Sequence, residues 1–205
     1  MRKEEKTRLR REMIIAVALR EFAVKGYKGF VINELCKIDG ISKGVLYHNF
    51  SGKSDLYLTC VQESFEKALA MFMGEDGQVP SLADYMERCH QFYQQYPEHS
   101  HIFFEAMIAT PEELAAEIVP QKAVFLDLNE QVCQKLLSEF KLKDHIDEKR
   151  AMAYLRLIQD MFLSYYLTVS SDSSLTNLVA GYEHQLSQVL DMMIYGIIGS
   201  GKELV

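Results

Sequence analysis

Residues 40–50 read Gly-Ile-Ser-Lys-Gly-Val-Leu-Tyr-His-Asn-Phe, and the chain is best entered there. A short segment, Ile32 to Ile38, precedes this stretch, Asp39-Gly40 interrupts the two, and Lys53 follows. Two short helices joined by a turn of a few residues containing Gly form a helix-turn-helix, whose second helix lies in the major groove of DNA. Leu35, Ile38, Ile41, Leu46 and Phe50 supply a small core that fixes the two helices at their angle, and Gly40 permits the turn. Ser42 suits the N-cap of the second helix, leaving free amides and a positive dipole end facing phosphate. Lys43 and Gly44 fall in its first turn, one a long donor for base edges, the other lacking the side chain that would prevent close approach. Tyr47 and His48 follow one turn later, and Lys53, opening the next helix, is placed to meet a backbone phosphate.

Outward from this stretch, the charge is divided along the chain. Residues 1–53 hold 12 Lys and Arg against 6 Asp and Glu, a local +6, whereas residues 54–205 hold 10 against 23, or −13, which together give the net −7. A basic head on an acidic body points to a nucleic-acid-binding end, because phosphate attraction is local and distant charge is screened within about 10 Å. The basic arm of Arg2, Lys3, Lys6, Arg8, Arg10 and Arg11 adds donors for phosphate or the minor groove.

The first 27 residues also read Phe22-Ala23-Val24-Lys25-Gly26-Tyr27 at the end of an apolar helix. With Ile32-Asn33-Glu34-Leu35-Cys36, the stretch at 40–50 and Lys53, this head resembles the tetracycline-repressor-like (TetR) family. That family's pattern is an apolar helix ending LFxxxGY, a T-[TV]-xx-I-A helix, then G-[VI]-S-x-G-x-L-Y-x-[HY]-F and a Lys three residues on. The likeness spans about the first 60 residues. Three positions depart from it: Val31 replaces the Thr that caps the second helix, Asp39 an Ala beside the turn, and Asn49 a His or Tyr. The resemblance implies base contacts from Lys43, Gly44 and His48, joined by Asn33 and Val45, and phosphate contacts from Ser42, Tyr47, Asn49 and Lys53. It also implies a homodimeric transcription regulator on an operator, a repressor released by a small-molecule inducer.

Periodicity predicts an all-α chain of about nine helices, with only 4 prolines and 11 glycines to punctuate it. The first helix runs from about Glu5 to Val24, closed by Gly26. A long helix from Lys53 to Met73 joins a head of residues 1–52 to a sensing and dimerisation body of residues 53–205. Ser81 and Asp84 form a capping box for a helix reaching Tyr96, and a further helix covers His99 to Ala109. Thr110-Pro111 marks a new start, with Thr as N-cap, for a helix ending near Pro120, followed by a stretch from Gln121 to Phe140. Asp147 caps a segment to Thr168, and the last helix spans Leu175 to Ile198.

The body's aromatic and Met content suggests a drug-sized pocket, with Cys89, Phe92, Tyr93, Phe103, Met107, Phe125, Tyr154 and Phe162 as candidate lining. The competing reading, plain core or a protein-docking body, stays open for each. Apolar stripes on the last two helices, including Leu155, Phe162, Tyr182, Leu186, Val189 and Met193, predict a four-helix dimer interface. No metal site or cofactor is expected: His99 and His101, at i and i+2, face different sides of a helix, and Cys36, Cys60, Cys89 and Cys133 form no CxxC pair. Neither HExxH, GxSxG nor a phosphate loop occurs, so an enzyme is not expected. The charged start and the lack of an apolar run of about 18 residues predict a cytoplasmic chain without membrane insertion.

Overall fold

The computed structural model describes the backbone of residues 3–38, 40–74, 77–170 and 192. The architecture is all-α, as the periodicity predicts. In chain order the described α-helices are α1 (Lys3–Gly29), α2 (Lys43–Asn49), α3 (Lys53–Met73), α4 (Leu82–Gln95), α5 (Pro97–Ile108), α6 (Ala115–Glu139) and α7 (Glu148–Ser170). Short 3-10 helices, Ile32–Lys37 and Glu112–Leu114, stand between α1 and α2 and before α6. The expected final helix, 175–198, lies outside the described residues.

Contacts divide the chain into two compact units, one of Met1–Phe72 with Arg88–Val124, the other of Met73–Glu87 with Phe125–Val205. In the first unit, α1 turns Ile14, Ile15, Ala18, Leu19 and Phe22 inward, and α3 does the same with Leu56, Tyr57, Cys60, Val61, Phe65, Ala68 and Phe72. Recurrence at three and four residues is what buries one side of a helix, each large side chain contributing about 1.5–3 kcal/mol. Leu35, Ile41, Leu46 and Phe50 are buried as expected, but Ile38 is not. The 3-10 helix ends at Lys37, and Ile38 is already extended (φ −92°, ψ 132°), which takes its side chain off the inward face. In the second unit Cys133, Leu136 and Leu137 of α6 pack with Ala151, Met152, Leu155 and Ile158 of α7.

Several boundaries differ from the sequence reading for local reasons. The first helical stretch breaks at Gly26 (φ 64°, ψ 172°), the glycine expected to close it, and a further turn carries α1 on to Gly29, with the Phe30 amide donating to the Gly26 carbonyl at 3.2 Å. Val31 makes no side-chain cap, and the helix after it is a six-residue 3-10 helix. Thr110 does not start a helix: its hydroxyl donates back to the Ala106 carbonyl of α5 at 2.6 Å, and Pro111 takes the N-cap place. Pro120 does not end one either, since it sits inside α6. Lying near the helix start, it deprives only the carbonyl of exposed Ala116 of a donor. The Ser81 cap is present, with the Asp84 amide donating to Ser81 Oγ at 3.1 Å and the Ser81 hydroxyl donating to the Asp84 carboxylate at 2.6 Å, as is the Asp147 cap, which accepts from the Arg150 amide at 2.8 Å.

Candidate nucleic-acid interface

Ser42 is extended (φ −78°, ψ 157°), and its Oγ accepts the Val45 amide at 3.2 Å, so α2 begins on a side-chain cap. Such a cap stabilises a helix by about 1 kcal/mol and leaves the remaining first-turn amides pointing outward. The outward side of α2 presents Lys43, Gly44, Tyr47 and His48, all exposed. A Cβ added at Gly44 would meet nothing nearer than Ser42 Oγ at 4.0 Å, so the backbone there is open to an approaching surface. Asn33 comes from the preceding 3-10 helix, and the Tyr47 hydroxyl donates to its Oδ1 at 3.3 Å, linking the two elements on their exposed side. That 3-10 helix is tied to α1 by Lys25, whose Nζ lies 2.6 Å from Glu21 and 2.7 Å from Glu34. The hydrogen bonds to Glu21 and Glu34 raise the Lys25 pKa, and Lys25 in turn lowers that of Glu34.

Val45 and Asn49 are half-buried. The Asn49 amide nitrogen donates to the Val45 carbonyl at 2.7 Å, so this donor, expected to face phosphate, is engaged within its own helix. Lys53 is also half-buried: its Nζ rests 4.4 Å from the centre of the Tyr27 ring and donates to the Lys28 carbonyl at 3.4 Å.

Arg11 does not belong to a free basic arm. The chain is helical from Lys3, and the Arg11 guanidinium donates to the Asn49 carbonyl at 3.1 Å while lying 4.4 Å from the Phe50 ring centre. It closes the C-terminal end of α2, where a cation meets orphan carbonyls and the negative end of the helix dipole.

Glu105 belongs to no motif of the sequence. One carboxylate oxygen accepts the Tyr27 backbone amide at 2.9 Å, and the other accepts the Tyr57 hydroxyl at 2.9 Å. Burial and the adjacent Glu105 push the Tyr57 phenol far above its ordinary pKa. A signal was present: a single carboxylate within His101-Ile-Phe-Phe-Glu-Ala-Met-Ile108 needs a partner where the helix is otherwise packed. On the same helix, His99 Nδ1 lies 3.0 Å from Ser64 Oγ.

Among the candidate pocket residues, Phe92, Phe103 and Met107 are buried in the first unit. Phe92 and Phe103 meet each other and Phe72 edge-on, with Phe65 tilted 4.9 Å from Phe103. Cys89 and Tyr93 are half-buried in that unit, while buried Phe125 and half-buried Tyr154 belong to the second. The side chain of Phe162 lies outside the described residues, as do Tyr182, Leu186, Val189 and Met193. Leu155, expected at the dimer interface, is 3% exposed and packs within the second unit, while Leu157 and Met161 are exposed apolar residues among those described in α7. Ala151, Leu155 and Ile158, which recur at helical spacing in the sequence, are buried together. The four cysteines form no disulfide, and Cys60 and Cys133 are buried.

Residues 14–60 match the family model for bacterial regulatory proteins of the tetR family. Among curated proteins, the chain is 24% identical over 161 residues to the HTH-type transcriptional repressor AcnR of Corynebacterium diphtheriae, covering 76% of this chain and 80% of that one. A TetR family transcriptional regulator from Chloroflexus aurantiacus superposes with a TM-score of 0.63 at 21% identity, over 95% of this chain and 94% of that one. AibR, solved in complex with isovaleryl coenzyme A and operator DNA, superposes with a TM-score of 0.66 at 16% identity, over 88% of this chain and 95% of that one. The matched head, carrying a capped and exposed α2, is thus similar over residues 14–60 to bacterial regulatory proteins of the tetR family, and the described fold is similar to that of TetR family transcriptional regulators.

Proposed function

We propose that this chain is a cytoplasmic DNA-binding repressor that binds a palindromic operator as a homodimer and leaves it when a small molecule binds the body. The observation that carries the reading is the exposed face of α2, with Lys43, Gly44, Tyr47 and His48 side by side on a capped helix start, within residues 1–53 whose charge is +6. In the proposed complex Lys43, Gly44 and His48, with Asn33 and Val45, meet base edges. Ser42, Tyr47, Asn49 and Lys53 hold phosphates. Residues 1–52 serve as the reading head and residues 53–205 as the sensing and dimerising body.

Support for a small-molecule ligand comes from the aromatic side chains of α4 and α5 and from AibR, whose structure holds both an acyl coenzyme A and DNA. Cys89, Phe92, Tyr93, Phe103, Met107, Phe125, Tyr154 and Phe162 are the residues proposed to meet it. Coupling requires that the ligand favour the DNA-incompetent state, by a few kcal/mol in usual cases. No helix of the described residues is long and apolar enough to cross a membrane.

The test is selection of bound fragments from random-sequence DNA with the purified protein. A palindromic motif is expected. Lys53→Ala should weaken binding to all sequences and flatten the salt dependence by about one phosphate, whereas Lys43→Ala should also change base preference. Recovery of no common motif would sink the operator reading.

A further inference from the structure

Lys53 opens α3 above the last turn of α1, and its seat is made of the Tyr27 ring and the Lys28 carbonyl. The Tyr27 hydroxyl and Ser54 Oγ, 3.0 Å apart, bind the other side of that seat to the start of α3. Gly26, in the left-handed region, sets this turn apart from the rest of α1, and the turn is closed by the Phe30 amide donating to the Gly26 carbonyl. Glu105 of α5 sits against the break: a Cβ added at Gly26 would come 2.9 Å from its Oε1. The same oxygen takes the Tyr27 amide, which the break at Gly26 exposes as a donor, and Oε2 takes the hydroxyl of Tyr57, one helical turn after Lys53. One carboxylate thus grips both the floor under Lys53 and the helix that carries it.

We propose that Glu105 is a positioning residue for DNA binding, a clasp by which α5 holds Lys53 in place to receive a backbone phosphate. The inference rests on the DNA-binding role of Lys53 proposed above. Residues of α1, α3 and α5 that take part all belong to the first compact unit. The carboxylate suits the task because it accepts two hydrogen bonds at once, and charge-assisted bonds of this kind are shorter and about twice as strong as neutral ones. Phe103 and Met107, proposed for ligand contact, flank Glu105 on the same twelve-residue helix, so displacement of α5 moves the clasp directly.

The test uses the full-length protein and a duplex recovered by the selection described above, with affinity measured across a salt series. Glu105→Ala is expected to make the slope of log K against log salt shallower by about 0.9, the share of one phosphate. In a Lys53→Ala background the same change should leave the slope where Lys53→Ala alone puts it. Glu105→Gln, whose amide oxygen can still accept the Tyr27 amide and whose nitrogen can donate to Tyr57, should restore the parent slope. A general loss of stability would lower affinity without this selective loss of one charge and without rescue. If Glu105→Ala does not fold, Tyr57→Phe carries the test, and it should flatten the slope in the same direction by less. A parent slope in the folded variant, or additive flattening with Lys53→Ala, overturns the clasp. A parent protein with no salt-dependent DNA binding overturns it together with the reading on which it rests, and the two failures are told apart by the parent alone.

Discussion

Two glycines in the head have opposite reasons for lacking a side chain. Gly44 faces open space on exposed α2, so replacing it with Leu leaves the fold alone and, by helix propensity, raises stability by up to about 1 kcal/mol. Binding to a selected duplex should nevertheless be lost, because the new side chain holds the helix away from the base edges. Urea unfolding and a DNA titration on the same preparation check both halves; retained binding would place the close approach elsewhere. Gly26 is constrained by its own conformation, φ 64°, and by Glu105 Oε1 at 2.9 Å from an added Cβ. Gly26→Ala is therefore expected to cost about 1–3 kcal/mol in urea unfolding, because a side chain in the left-handed region adds strain and also pushes the carboxylate from the Tyr27 amide. An unchanged midpoint would mean that the turn relaxes freely.

At the scale of the element, α5 carries a pH response. Burial lowers the pKa of His99 and His101 below the ordinary 6.5; Lys67 lowers His99 further, while Glu98 opposes both shifts. The unfolded chain binds protons at these positions as pH falls through 6.5, whereas the folded chain resists, so the unfolded state gains more protons and stability falls on acidification. The thermal midpoint should drop between pH 7.5 and 5.5, and a His99→Gln, His101→Gln double variant should show a smaller drop over the same interval. An equal drop in the variant would assign the acid sensitivity to carboxylates elsewhere. The same helix shows how far periodicity reaches. Its apolar positions were legible, and Phe103 and Met107 are buried as such a stripe requires. Its start was displaced because Pro97 opens the helix, and beyond its end Thr110 donates back to the Ala106 carbonyl instead of accepting an amide as an N-cap, a choice that spacing does not settle.

For the molecule as a whole, the proposed two-fold assembly is the property most open to disproof. Changing Leu186 and Met193 together to Asp should give monomers that keep helical content but lose tight operator binding, since one head contacts half of a palindrome. Sizing with light scattering reads the mass, and a dimer of unchanged stability would move the interface elsewhere. Leu155, also proposed for that surface, packs in one cluster with Cys133, Leu136 and Ile158 of its own chain.

The all-α class, the head at 40–50 and the caps at Ser42, Ser81 and Asp147 were determined by sequence alone. These are local matters: a hydroxyl or carboxylate three residues before an amide, or an apolar residue every third or fourth place, acts within one turn of helix. Tertiary structure decided what depends on partners distant in the chain. Arg11 reads as one more basic residue of an arm until Asn49 and Phe50, 38 and 39 positions on, claim it. Glu105 reads as a lone charge in an apolar helix until Tyr27 and Tyr57 arrive, 78 and 48 positions away. No periodicity encodes such meetings, because a carboxylate acquires its role from whichever donors the packed helices bring within 3 Å of it.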